Sequence, residues 1–112
     1  MMALNGWRIM WILAFFDVAT QTKDQRREYS QFRKLLLENG FNQMQFSVYM
    51  RCMPTFHKAE ALVNQLGNLM PSKGYCSFIY LTDKQFGMTR HFYGGVEGDY
   101  PEDKPEQLLL FD

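Results

Sequence analysis

With 112 residues, 46% of them hydrophobic and 16% aromatic, the chain has material for one packed domain, too little for two, and is neither disordered nor fibrous. Its longest apolar run, residues 9–16, falls far short of the ~20 residues needed to span a bilayer. Net charge is zero, yet residues 1–58 hold eight Lys/Arg against four acids and residues 59–112 hold four against eight, so a polyanionic partner for one face is not excluded.

Residues 1–6 lack a basic leader and a small-residue cleavage site, so no signal peptide is expected and a cytoplasmic, reducing setting is. Residues 8–18 form a near-continuous apolar run, the pattern of a central strand buried on both faces. Asp17 closes that run next to a loop, where a desolvated carboxylate needs a cation, a donor or water. A strand-end Asp capping a turn satisfies the same requirement, and one carboxylate alone is a poor set for Mg²⁺, which wants six oxygens.

Thr22 and Gln25 form a capping-box pair that announces a helix, with Tyr29, Phe32, Leu35 and Leu36 on its apolar stripe and Gly40 past its end. Lys23, Arg26 and Arg27 fall in the first turn, where bases oppose the macrodipole and so do not serve the helix. Together with backbone amides they suit phosphate oxygens. A solvated face with Asp24 and Glu28 as local partners is the plainer alternative. Arg33 and Lys34 continue the basic segment off the apolar stripe.

Residues 46–51 alternate, with Phe46, Val48 and Met50 on one side and Ser47, Tyr49 and Arg51 on the other. A second helix is expected over 55–69, a third strand over 75–81, a turn over 83–86 and a fourth strand over 87–93. We assign these elements to the β-α-β-β-α-β ferredoxin-like arrangement, an α+β sandwich with one sheet face open. Cys52 and Cys76 show no metal or redox spacing and are expected as small buried hydrophobes. His57 and His91 have no companion at ligand spacing.

Three units follow: a domain over 1–93, an acidic linker over 94–106 with five acids against one Lys, and an apolar C-terminal strand over 107–112. Leu108, Leu109, Leu110 and Phe111 must cover something. Either they pack on their own sheet edge or, as a reaching linker favours, they add a strand to another subunit's sheet. Ten Phe and six Tyr exceed what one small core hides, which also points to an oligomer. Residues 73–80 partly match an RNA-recognition signature, but Ser77 stands where a stacking aromatic belongs and Cys76 replaces a Gly or Ala.

Read together, Phe15-Phe16-Asp17, Thr22-Lys23-Asp24-Gln25-Arg26-Arg27, Phe32-Arg33-Lys34, Asn39-Gly40-Phe41 and Gln45-Phe46-Ser47-Val48-Tyr49 resemble the Cas-two (Cas2) family of CRISPR spacer acquisition. The segment Pro105-Glu106-Gln107-Leu108-Leu109-Leu110-Phe111 is similar to tails from Cas9-containing systems. The resemblance implies a ferredoxin-like homodimer with its sheets face to face. It also implies that the dimer bridges two dimers of the Cas-one integrase while double-stranded spacer DNA is captured and inserted. A Mg²⁺-dependent endonuclease activity on RNA or DNA is implied as well, with Asp17 as the catalytic and metal-holding residue. Lys23, Arg26, Arg27, Arg33 and Lys34 become the nucleic-acid contacts, and Tyr49 with Leu108, Leu109, Leu110 and Phe111 the partner contacts. Gln43 departs from relatives that carry a base there. A VapD-type toxin ribonuclease shares the fold and the strand-end Asp but leaves the acidic linker and apolar tail without a purpose.

Overall fold

Alternation within the first apolar run decides how the domain is layered. In the computed structural model, which describes residues 8–71 and 74–98, the run forms β1, Met10–Asp17. Met10, Ile12, Ala14 and Phe16 face a core cluster shared with the helices, while Trp11 and Leu13 join a smaller cluster on the opposite face. Helix α1, Lys23–Glu38, starts at the capping box, with the Thr22 hydroxyl accepting from the Gln25 N–H and Gln25 Oε1 accepting from the Thr22 N–H. Its exit is a left-handed Gly40, φ +81, over which the Arg51 guanidinium donates to the Asn39 carbonyl. A Cβ at Gly40 would stand 2.7 Å from Arg51 Nη1, so this corner admits only glycine without rearrangement.

After that corner come β2 (Asn42–Gln45), β3 (Val48–Met53), α2 (Phe56–Gly67, capped by the Thr55 hydroxyl) and β4 (Tyr75–Thr82). The four strands form one antiparallel sheet in the order β2-β3-β1-β4, the ferredoxin-like topology. The fold class expected from sequence is the one observed, but the expected elements in chain order gave β-α-β-α-β-β, lacking one strand before the second helix and counting one too many after it. The sheet's second strand is β2, which the alternation over 46–51 did not include. Residues 46–47 are a turn, and the strand that follows runs on to Met53. Residues 87–93 are not the sheet's fourth strand; that place belongs to β4. The expected turn at 83–86 is a short helix, α3 (Asp83–Gly87), built on a second capping box between Thr82 and Gln85. Beyond it, β5 (His91–Tyr93) and β6 (Val96–Gly98) pair around the Gly94-Gly95 turn, within what was expected as strand and linker.

The two main helices cover the face carrying Ile12, Ala14, Phe16 and Tyr49, and Phe32, Leu36, Ala59 and Leu66 are buried against it. Alpha-helix α3 folds back over the other face. Its Phe86 stacks on Trp11 with ring centroids 4.0 Å apart, and Trp11 Nε1 donates to Asp83 Oδ1 at 2.7 Å. Thus α3 closes the Met10 end of the open face over Leu13 and Met50 and leaves the Asp17 end bare. No helix among the described residues is long and apolar enough to cross a membrane.

Candidate nucleic-acid interface

The bare end is built by strand register. Asp17 pairs with Tyr75 on β4, and Phe15 pairs with Ser77 on β4 and Val48 on β3, so these side chains share the open face. They line a cleft of about 360 Å³, walled by Phe15, Val48, Tyr75 and Ser77 and ended by Asp17. Its apolar walls are uncovered, with Phe15 37% and Tyr75 72% exposed, and Ile79 beside the cleft on the same face is 44% exposed. Asp17 itself is exposed. Among the described residues no group of three or more His, Cys, Asp or Glu converges to hold a metal ion.

The loop of residues 18–22 carries the chain from Asp17 directly into α1, which places Lys23, Arg26 and Arg27 at the same end of the sheet. Two of these bases hold local contacts there. Arg27 Nη2 lies 2.8 Å from Asp24 Oδ1, both side chains largely exposed, and Arg26 Nη1 donates to the carbonyls of Thr20 and Gln21. Lys34 stands 3.8 Å from Glu38, and Arg33 is half-buried. At 1.5 Å per residue, Arg33 and Lys34 sit ~15 Å along the helix from Lys23, so the five bases form a line and not one cluster. Both readings of the first turn therefore have a physical basis, since a surface ion pair of this kind yields readily to a phosphate.

Tyr49, expected as a contact to a partner subunit, is instead enclosed within its own chain. It lies on the helix-covered side of β3, 0% exposed, with its ring 5.4 Å from Phe16, and it is a core residue. Cys52, expected inside, is exposed on the open face beside Trp11. Cys76 is half-buried under the helices, and burial pushes its thiol up to about 12. Residues 75–80 of the segment that partly matches an RNA-recognition signature lie on β4, at the sheet edge, with Ser77 on the open face between Tyr75 and Ile79. Leu108, Leu109, Leu110 and Phe111 lie outside the described residues.

Sequence reasoning missed three features here. Tyr75 and Ser77 share Asp17's face, a fact available from strand parity once the β1–β4 pairing is known. Phe46 sits in the β2–β3 turn against Tyr29 of α1. The α3 cover had a signal in the Thr82–Gln85 capping box.

A family model described as CRISPR associated protein Cas2 matches residues 10–89. Among curated proteins, the CRISPR-associated endoribonuclease Cas2 of Flavobacterium psychrophilum is 44% identical over 110 residues, spanning 96% of this chain and 93% of that protein. The protein of the same name from Parvibaculum lavamentivorans is 41% identical over 102 residues, spanning 91% of this chain and 100% of that protein. One from Streptococcus mutans is 34% identical over 102 residues, with 91% and 92% covered.

Proposed function

The chain belongs to the CRISPR-associated Cas2 family, and on that footing we propose that it serves in CRISPR adaptation as a homodimeric bridge between integrase dimers, holding double-stranded spacer-precursor DNA as it does so. A bridge must present two equivalent sides. The observation that carries this reading is the bare half of the open sheet face, where Phe15, Ile79 and Tyr75 expose apolar surface that a second copy's sheet would cover. The first turn of α1 then lies at the rim of that contact in both copies, and Lys23, Arg26 and Arg27 supply the phosphate contacts.

The tail fits the same reading. Strand β4 is a sheet edge flanked by half-buried Phe78 and Tyr80 on the helix side and by Tyr75 and Ile79 on the other. An added strand there needs apolar residues on both faces, which four consecutive apolar residues, 108–111, provide. The test is sedimentation of Ile79→Glu alongside removal of residues 107–112. Monomers from Ile79→Glu that no longer co-purify with the Cas-one integrase support the bridge. A dimer unchanged by Ile79→Glu refutes the face, and unchanged dimerisation and integrase co-purification after truncation refute the tail.

A second reading follows from the relatives, which are named endoribonucleases. It rests on Asp17, exposed at the cleft's end beside the basic turn. One chain offers one carboxylate; two copies across a dimer axis would offer two, which with waters and substrate phosphates would suit Mg²⁺. We prefer the bridge, because it rests on the bare sheet face together with the basic first turn of α1, whereas the nuclease rests on Asp17 alone.

A further inference from the structure

Two-residue hairpin turns favour Gly, Asn and Asp, yet the β2–β3 turn is made by Phe46 and Ser47. Phe46 remains 52% exposed there. Its backbone is held firmly all the same. The Phe46 carbonyl accepts from the Tyr29 hydroxyl and from Gln43 Nε2, each at 3.3 Å, and the Ser47 carbonyl accepts from the Phe16 N–H at 3.1 Å. The Phe46 ring stacks on Tyr29 with centroids 5.9 Å apart and 23° between the planes. An aromatic ring is thus backed on one side by a second ring and open to solvent elsewhere.

The position matters as much as the exposure. Through Phe16 and Ser47 the turn is fixed to the Asp17 end of β1, where α1 also begins. Arg26 and Arg33 lie three residues before and four residues after Tyr29, which makes them its neighbours along the helix surface. The Phe46 ring leans on α1, on the helix side of the sheet, so a second copy packed on the open face would leave it uncovered. An open aromatic face with guanidinium groups one helical turn away is the chemistry that seats an unpaired nucleobase and its phosphate.

We propose that Phe46, backed by Tyr29 and flanked by Arg26 and Arg33, is a stacking platform for one unpaired base, as found at a frayed duplex end or in a single strand. This rests on the nucleic-acid reading above and adds to it a site that distinguishes unpaired from paired strands.

The test uses the full chain with two probes, a single-stranded oligonucleotide carrying one 2-aminopurine and a blunt duplex of the same sequence. The variants are Phe46→Leu, which keeps an apolar contact on Tyr29, and Phe46→Trp, which keeps a stacking face. The wild type and Phe46→Trp quench 2-aminopurine. Phe46→Leu loses the quench and binds the single strand about fivefold or more weakly, with blunt-duplex affinity unchanged. If Phe46→Leu binds and quenches like the wild type, the platform is refuted while nucleic-acid binding stands. The platform is likewise refuted if Phe46→Leu keeps single-strand affinity and loses only capture of the integrase. Should the wild type bind neither probe, the broader reading falls and this one with it.

Discussion

Replacing Arg26 and Arg27 together by Ala separates a phosphate-binding turn from a merely solvated one. Each lost phosphate contact lowers the slope of log affinity against log salt by ~0.9, so the double variant should be shallower by about 1.8. Across a fourfold rise, from about 50 to about 200 mM salt, the wild type should lose about twelvefold more affinity for duplex DNA than the variant does. The fold should tolerate the change. The Arg27–Asp24 pair is exposed on both sides and contributes ~0.2–1 kcal/mol, and among the described residues the Arg26 guanidinium bonds to exposed loop carbonyls. Fluorescence anisotropy of a labelled duplex over a salt series, with circular dichroism to verify folding, measures the slope. Losses should be uniform across DNA sequences, because phosphates carry no sequence. Asp24→Asn should shift affinity the opposite way by releasing Arg27 and removing a negative charge. An unchanged slope in the double variant would mean that these arginines serve only Asp24 and the loop.

Other expectations follow from particular contacts. Asp17→Asn should fold within ~0.5 kcal/mol of wild type, since the side chain is exposed, and should leave spacer acquisition in cells intact; lost acquisition would favour the nuclease reading. Gly40→Ala should cost about 1–2 kcal/mol from the left-handed backbone alone, plus the displaced Arg51–Asn39 bond, read as a lower urea midpoint at constant m-value. Phe86→Ala should cost ~3–5 kcal/mol, because a buried ring stacked on Trp11 is removed; a melting temperature within a few degrees of wild type would refute the α3 cover. Burial raises the Cys76 thiol to about 12 in the folded chain, whereas an unfolded thiol ionises near 9.0. That contribution to stability is therefore complete below about pH 9 and declines as pH rises towards about 12, so Cys76→Ala should show a shallower alkaline loss in denaturation midpoints.

What could be read from sequence divides along physical lines. The apolar run of β1 and the two capped main helices announce themselves, because burial on both faces and helix caps leave local signatures. Strand β2 leaves none. Its residues, Asn42–Gln45, are polar apart from Met44, and it exists because β3 pairs with it and buried Gln43 finds the Phe46 carbonyl. Tyr49 was placed correctly opposite Val48 and Met50, but the helices cover the Tyr49 side, and alternation alone cannot tell a covered face from an open one that is also apolar. At α3 the signal was present: Thr82 and Gln85 repeat the pattern that located α1, and they start a helix where a turn was expected. In the candidate site, Asp17 and the α1 bases were visible as strand-end and helix-start residues. Their neighbours Tyr75 and Ser77 were not, because only the pairing of β1 with a strand some sixty residues later brings them there.

That pairing also sets a timetable for the chain's synthesis. Met10 meets Met53 on one side and Thr82 on the other, so β1 obtains its first neighbour early and its second only when β4 has been made. At ~5–20 residues per second on the ribosome, the interval from Met53 to Thr82 lasts a few seconds. During it, one edge of an apolar strand faces the cell unpaired, the condition under which nascent chains stick to one another. The strand made first is among the last to be enclosed, and slow, non-local closure of this kind ties the yield of folded protein to translation speed and chaperone supply.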